Sequence, residues 1–165
     1  MKNACLERSS FLEVFDKKFI PLDSVEELSI SLKKQGKTIA TLNGSFDLLH
    51  AGHLHIIHEA SKQADILIVA LNSDESIRAY KSPDRPIIPL ESRLQMLAAL
   101  EFVDYVTSFE ETTPFSFLEK VKPNVHVNGA DYTEDCIEAP IVKAHGGSIH
   151  MVNLIDGLST SNIIT

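Results

Sequence analysis

Five short apolar runs separated by amphipathic stretches constrain this chain more than any other feature. KTIATLN, DILIVALN, DYVTSF, NVHVNG and SIHMVNL are brief, several are rich in Val and Ile, and most close on Gly, Asn or Asp, as buried strands do. The stretches between them carry helical spacing and predict helices over roughly 51–63, 73–80, 90–101, 114–122 and 134–145. Strands separated by helices need crossover connections, so the expected architecture is α/β, a doubly wound parallel sheet of about five strands with helices on both faces. Residues 1–35 read as a leader with helical segments and 36–165 as the body of a single globular domain. Ligands in such folds bind at the carboxyl ends of the strands. The stretch NGSFDLLHAGH, residues 43–53, follows the first strand.

A length of 165 residues suits one domain with a real core. The formal charge of −8 and the lack of a long Lys/Arg run argue against nucleic acid or a membrane surface as partner, because both are anionic. Cations for an anionic ligand must then be local. Cys5 and Cys136 are far apart and in no metal-type spacing, which points to a reducing cytoplasm. The longest apolar run, Ile66 to Leu71, is too short to cross a bilayer.

Gly44 and Gly52 remove side chains where the chain turns and where a ligand could touch backbone. The helix that follows presents unpaired N–H groups and partial positive charge, a natural phosphate site, with His53 in its first turn and His50 just before it. Two imidazoles on one phosphate can donate to its equatorial oxygens as charge grows there. A histidine at a helix start is also an ordinary polar loop residue. Zinc is a further alternative, since His55 and His58 follow, but no HExxH-type motif completes a ligand set.

GSFDLLHAGH resembles the HxGH signature of the nucleotidyltransferase superfamily. LNSDESIRAYK, RPIIPLESRLQMLAALEFVDYV, VNGADY and IDGLSTSNII follow in order, and together they are similar to the heptose 1-phosphate adenylyltransferases over nearly the whole chain from about residue 30. The resemblance implies a Rossmann-like nucleotidyltransferase fold and transfer of AMP from ATP to heptose 1-phosphate, giving ADP-heptose for lipopolysaccharide core synthesis. It implies Mg²⁺ carried by the triphosphate, a homodimer, and a heptose kinase upstream as a separate protein.

The same resemblance makes His50, His53, Lys81 and Arg93 the catalytic set. It assigns Gly44, Ser45, Phe46, Asp47, Gly52 and Asn72 to the nucleotide, with Asp47 organising the site. Gly129, Asp131 and Tyr132 join them, as do Ser159, Thr160 and Ser161, whose hydroxyls also suit a helix cap. Arg85 and Asn128 fall to the substrate. Lys81 and Arg85 lie in YKSPDRPIIP, a proline-stiffened connection that otherwise reads as solvated surface. Arg93 sits beside Glu91 on a helix striped by Leu90, Leu94 and Leu97, where a surface ion pair is the other reading. One departure stands out: the resembling motif reads VKGGDY where this chain has Val127-Asn128-Gly129-Ala130-Asp131-Tyr132, so a positive charge is missing. Glycerol-3-phosphate cytidylyltransferase shares HxGH, but its Arg-Thr positions read Leu154-Ile155 here. A nucleotide-binding regulatory protein on the same fold is the alternative from another class.

Overall fold

A computed structural model describes residues 10–129 and 135–153. Helix α1 (Phe11–Lys18), a 3-10 turn (Leu22–Ser24) and α2 (Val25–Lys34) precede β1 (Ile39–Gly44) and α3 (Ala51–Ser61). Next come β2 (Ile66–Asn72), α4 (Asp74–Tyr80), α5 (Leu90–Ala98) and β3 (Tyr105–Phe109). The described chain then gives α6 (Phe115–Val121), β4 (Val125–Gly129), α7 (Ala139–Ala144) and β5 (Ser148–Val152). All five strands pair in parallel in the order β3-β2-β1-β4-β5. The order reverses between β1 and β4, the topological switch point where open α/β sheets take ligands.

Alternation along the strands builds a core on each face. Ala40, Leu42, Leu67, Val69, Leu71 and Val127 meet α3 and α5 through Ile57, Ala60, Leu94 and Leu97. Ile39, Ile68, Ala70 and Phe109 point the other way, against Val25, Phe117, Leu118 and Val142. Strands covered on both faces must be apolar throughout, which is why ILIVALN shows no polar alternation. Each fully buried Leu or Ile contributes about 1.5–3 kcal/mol. Toward the carboxyl ends the second face turns polar. Thr41 and His126 lie opposite each other there, both fully buried.

Residues 10–35 are tied into this body by contacts distant in sequence. Ser10 and Glu13 form a reciprocal capping box at the start of α1. Phe19 bridges Val106 in parallel and Ile20 N–H donates to the Val106 carbonyl at 2.9 Å, covering the β3 edge. Lys18 Nζ donates to the carbonyls of Leu100 (2.9 Å) and Val103 (2.6 Å), just past the end of α5. Lys33 Nζ donates to the carbonyls of Val121 and Lys122 at the end of α6. Both ammonium groups thus satisfy acceptors that helix ends leave open. No helix among the described residues is long and apolar enough to cross a membrane.

Candidate active site

The loop after β1 turns on Phe46, whose φ of +46° lies in the left-handed region, an uncommon conformation for a bulky residue. Its ring is buried in the core and stands 5.3 Å from the His53 ring. The two histidines of the motif stack with ring centroids 3.9 Å apart and an interplanar angle of 27°. His50 is the N-cap of α3, and its Nδ1 accepts from Gly52 N–H at 3.1 Å. An imidazole nitrogen that accepts carries no proton, so the neutral ring has its proton on Nε2 and offers it as a donor. The cap therefore selects the tautomer.

Burial lowers the His50 pKa from its ordinary value. His53 is pushed down to about 4, first by burial and then by the adjacent His50, against the Leu48 backbone, with Lys81 adding a smaller push downward. That Leu48 contact falls short of hydrogen-bond geometry, and His53 Nδ1 is buried without a partner. Both rings are thus favoured as neutral donors rather than as cations. His55 Nε2 lies 3.1 Å from the Asn153 carbonyl and His58 packs edge-on to Phe102. Among the described residues no three His, Cys, Asp or Glu side chains are grouped to hold a metal ion.

The β1 loop is fixed by two buried ionic locks. Asp47, 2% exposed, accepts from Arg85 Nε at 2.6 Å and from the N–H groups of Ile87 and Ile88 at 2.8 Å each. Burial opposes its charge, but those backbone donors and Arg85 hold its pKa below the usual value. Arg93 is not the surface ion pair with Glu91 that its place in the sequence allowed. It is 1% exposed, its ion partner is Asp74 rather than Glu91, and four of its five N–H donors are engaged within the protein. Nε donates to the Ile88 carbonyl, Nη1 to the carbonyls of Ser45 and Asn72, and Nη2 to Asp74 at 2.6 Å. So placed, it joins the ends of β1 and β2 to the start of α4 and cannot clamp a phosphate in bidentate fashion. Lys81 Nζ donates to Ser45 Oγ at 2.8 Å. Its pKa is lowered by burial of the ammonium and by Arg85 and Arg93, against the pull of Asp47.

The sequence and the fold both have counterparts in known proteins. A family model described as cytidylyltransferase-like matches residues 41–163. The chain belongs to that family. The bifunctional protein HldE of Alcanivorax borkumensis is 46% identical over 133 residues, covering 80% of this chain and 28% of the relative. HldE of Syntrophotalea carbinolica is 40% identical over 151 residues, covering 91% of this chain and 31% of the relative. The chain thus spans about a third of the length of the curated relatives it matches. A solved lipopolysaccharide core biosynthesis protein from Thermoplasma volcanium GSS1 superposes with a TM-score of 0.60 at 28% identity, covering 73% of this chain and 98% of that one. Pantoate-beta-alanine ligase from Francisella tularensis, at 18% identity and a TM-score of 0.62 over 89% of this chain and 75% of that one, shares the fold.

In this cytidylyltransferase-like chain, Gly44, Ser45, Phe46, Asp47, His50, Gly52, His53, Lys81, Arg85 and Arg93 all fall in or against the β1 loop and the start of α3. Asn72 ends β2 and donates to Ser76 Oγ at 3.0 Å. Gly129 ends β4. Asn128 is 6% exposed, and its Nδ2 donates to buried Glu138 at 3.4 Å rather than standing free for a phosphate. Asp131, Tyr132, Ser159, Thr160 and Ser161 lie outside the described residues. Asp74, Glu138 and His126 are the groups that sequence reasoning missed. His126 is pushed down to about 4 by burial, opposed by Glu138 and Asn128, and its Nδ1 lies 2.8 Å from Thr41 Oγ1. Asp74 had a signal, since NSDES places an acidic residue at a capped helix start.

Proposed function

We propose that the chain catalyses nucleotidyl transfer from ATP, carried as its Mg²⁺ complex, to a sugar 1-phosphate of the heptose class. A phosphate oxygen of the sugar phosphate attacks the α-phosphorus, the bond from that phosphorus to the bridging oxygen breaks, and pyrophosphate leaves with the electron pair. The products are a nucleoside-diphosphate sugar and pyrophosphate. The observation that carries this reading is the stacked His50–His53 pair at the start of α3, with the His50 cap directing its Nε2 proton outward. Neutral donors there stabilise charge growing on the equatorial oxygens without a protein nucleophile. Lys81 supplies local positive charge, while Asp47 and Arg93 hold the loop that aligns these groups.

The HldE relatives and the lipopolysaccharide core biosynthesis protein support heptose as the acceptor class. A sugar kinase is the class of reaction that supplies such an acceptor. We further propose a homodimer acting in the cytoplasm. The family description favours testing CTP as a second donor. Release of pyrophosphate by the purified chain, measured with heptose 1-phosphate and either ATP or CTP, tests the reading. Release with ATP that depends on the sugar phosphate is expected. Release with CTP alone would reassign the donor, and none with either would refute the activity.

A further inference from the structure

At the carboxyl ends of β1 and β4 the second face of the sheet carries buried acceptors with too few donors. Asn43 Oδ1 is buried and has no hydrogen-bond partner. Thr41 lies opposite His126 in the β1–β4 register, so two residues on, Asn43 and Asn128 share this face. Glu138, 4% exposed, receives one long hydrogen bond from Asn128 at 3.4 Å, has the Cys136 thiol and the His126 ring beside it, and forms no salt bridge among the described residues. A carboxylate can accept about four hydrogen bonds. Leaving one buried with only a long amide hydrogen bond and a weak thiol donor is costly unless a ligand completes it. His126 Nε2, deeper on the same face, is likewise unpartnered.

The missing partner must bring donors and no negative charge. A phosphate brings acceptor oxygens and would be repelled by Glu138, whereas a sugar hydroxyl brings an O–H and is neutral. We propose that Asn43, Asn128 and Glu138 form a hydroxyl-recognising subsite for the uncharged sugar portion of a substrate, leaving the phosphates to the α3 side of the cleft. This rests on the nucleotidyl-transfer reading, in which both substrates carry such hydroxyls, the ribose of ATP and the ring of the acceptor.

Titration calorimetry on the intact chain tests it with ATP, heptose 1-phosphate and inorganic pyrophosphate, in wild type and Glu138→Gln. A hydrogen bond to a charged acceptor corresponds to about tenfold or more in affinity. At least one sugar-bearing ligand is therefore expected to weaken about tenfold, while pyrophosphate binds unchanged or tighter because a negative charge is gone. On the wild-type chain, 2′- and 3′-deoxy-ATP and deoxygenated sugar phosphates then say which sugar is held, and this arm decides the matter should Glu138→Gln not fold. Equal weakening of all three ligands would make Glu138 structural and overturn the subsite. So would unchanged binding of both sugar-bearing ligands, or deoxy analogues that all bind like their parents. A wild-type chain that binds neither ATP nor sugar phosphate would refute the nucleotidyl-transfer reading itself, and the subsite with it.

Discussion

Two sets of buried polar groups at the strand ends are handled in opposite ways. On the β1–β2 side, Asp47 and four of the five N–H donors of Arg93 are engaged by Arg85, Asp74 and backbone groups. On the β4 side, Glu138, Asn43 Oδ1 and His126 Nε2 are left short of partners. Satisfied ionic groups rigidify what they join, whereas unsatisfied ones retain capacity for a ligand. By this rule we propose that Arg93 and Asp47 are positioning residues despite lying beside the motif, and that the groups acting on substrate are those with capacity left over.

That contrast breaks most easily at Arg93. Removing one member of a buried ion pair typically costs 3–5 kcal/mol, so Arg93→Ala should lower the unfolding free energy by about that much in urea denaturation. A stable Arg93→Ala protein that lost only phosphate affinity would return Arg93 to direct ligand contact.

Acid sensitivity sharpens the same contrast. His53 has a folded pKa of about 4 against an ordinary value of 6.5, so its contribution is full above about pH 6.5 and is lost as pH falls toward 4, where the unfolded chain takes up the proton first. The loss is on the order of 3 kcal/mol. His53→Gln should flatten the stability profile across that window, and an unchanged slope would show that the ring is not buried as described. His126 adds a loss in the same direction.

Asp47→Asn should cost about 2 kcal/mol, since the amide keeps an acceptor for the Ile87 and Ile88 N–H groups but leaves Arg85 without its countercharge. Its kinetic signature should be a fall in kcat larger than any rise in KM for ATP, because the loop is misplaced rather than a contact removed. A pure KM effect would instead favour contact with substrate. The smallest effect belongs to Lys18→Met, which loses the hydrogen bonds to the Leu100 and Val103 carbonyls and should cost about 1 kcal/mol without changing turnover. Turnover that fell in step with stability would tie the N-terminal helix to the site.

Legibility in the sequence followed the range of the interactions. The five strands were readable because both-face burial writes itself into contiguous apolar residues. Helix α7 begins at Ala139 rather than near 134, with Pro140 in its first turn marking the start. The anchoring of residues 10–35 was not readable, because Lys18 and Phe19 find their partners more than eighty residues away. For Arg93 it was the surface alternative that failed. Arg93 falls three after Leu90 and four before Leu97, inside the apolar stripe, and that spacing already placed it on the buried face. Glu138 left no local trace, since nothing near it in sequence reveals a carboxylate turned toward β4.

His50 bears most directly on the central claim, because it is the group whose free proton is fixed by its own cap. The decisive comparison is the single-turnover rate of nucleotidyl transfer from ATP to heptose 1-phosphate in His50→Ala, set beside its unfolding free energy. Loss of the Gly52 cap should cost only about 0.5–2 kcal/mol in stability. Loss of the transition-state donor should slow transfer by about 100- to 1000-fold. A folded His50→Ala protein that transfers AMP at close to the wild-type rate would contradict the account.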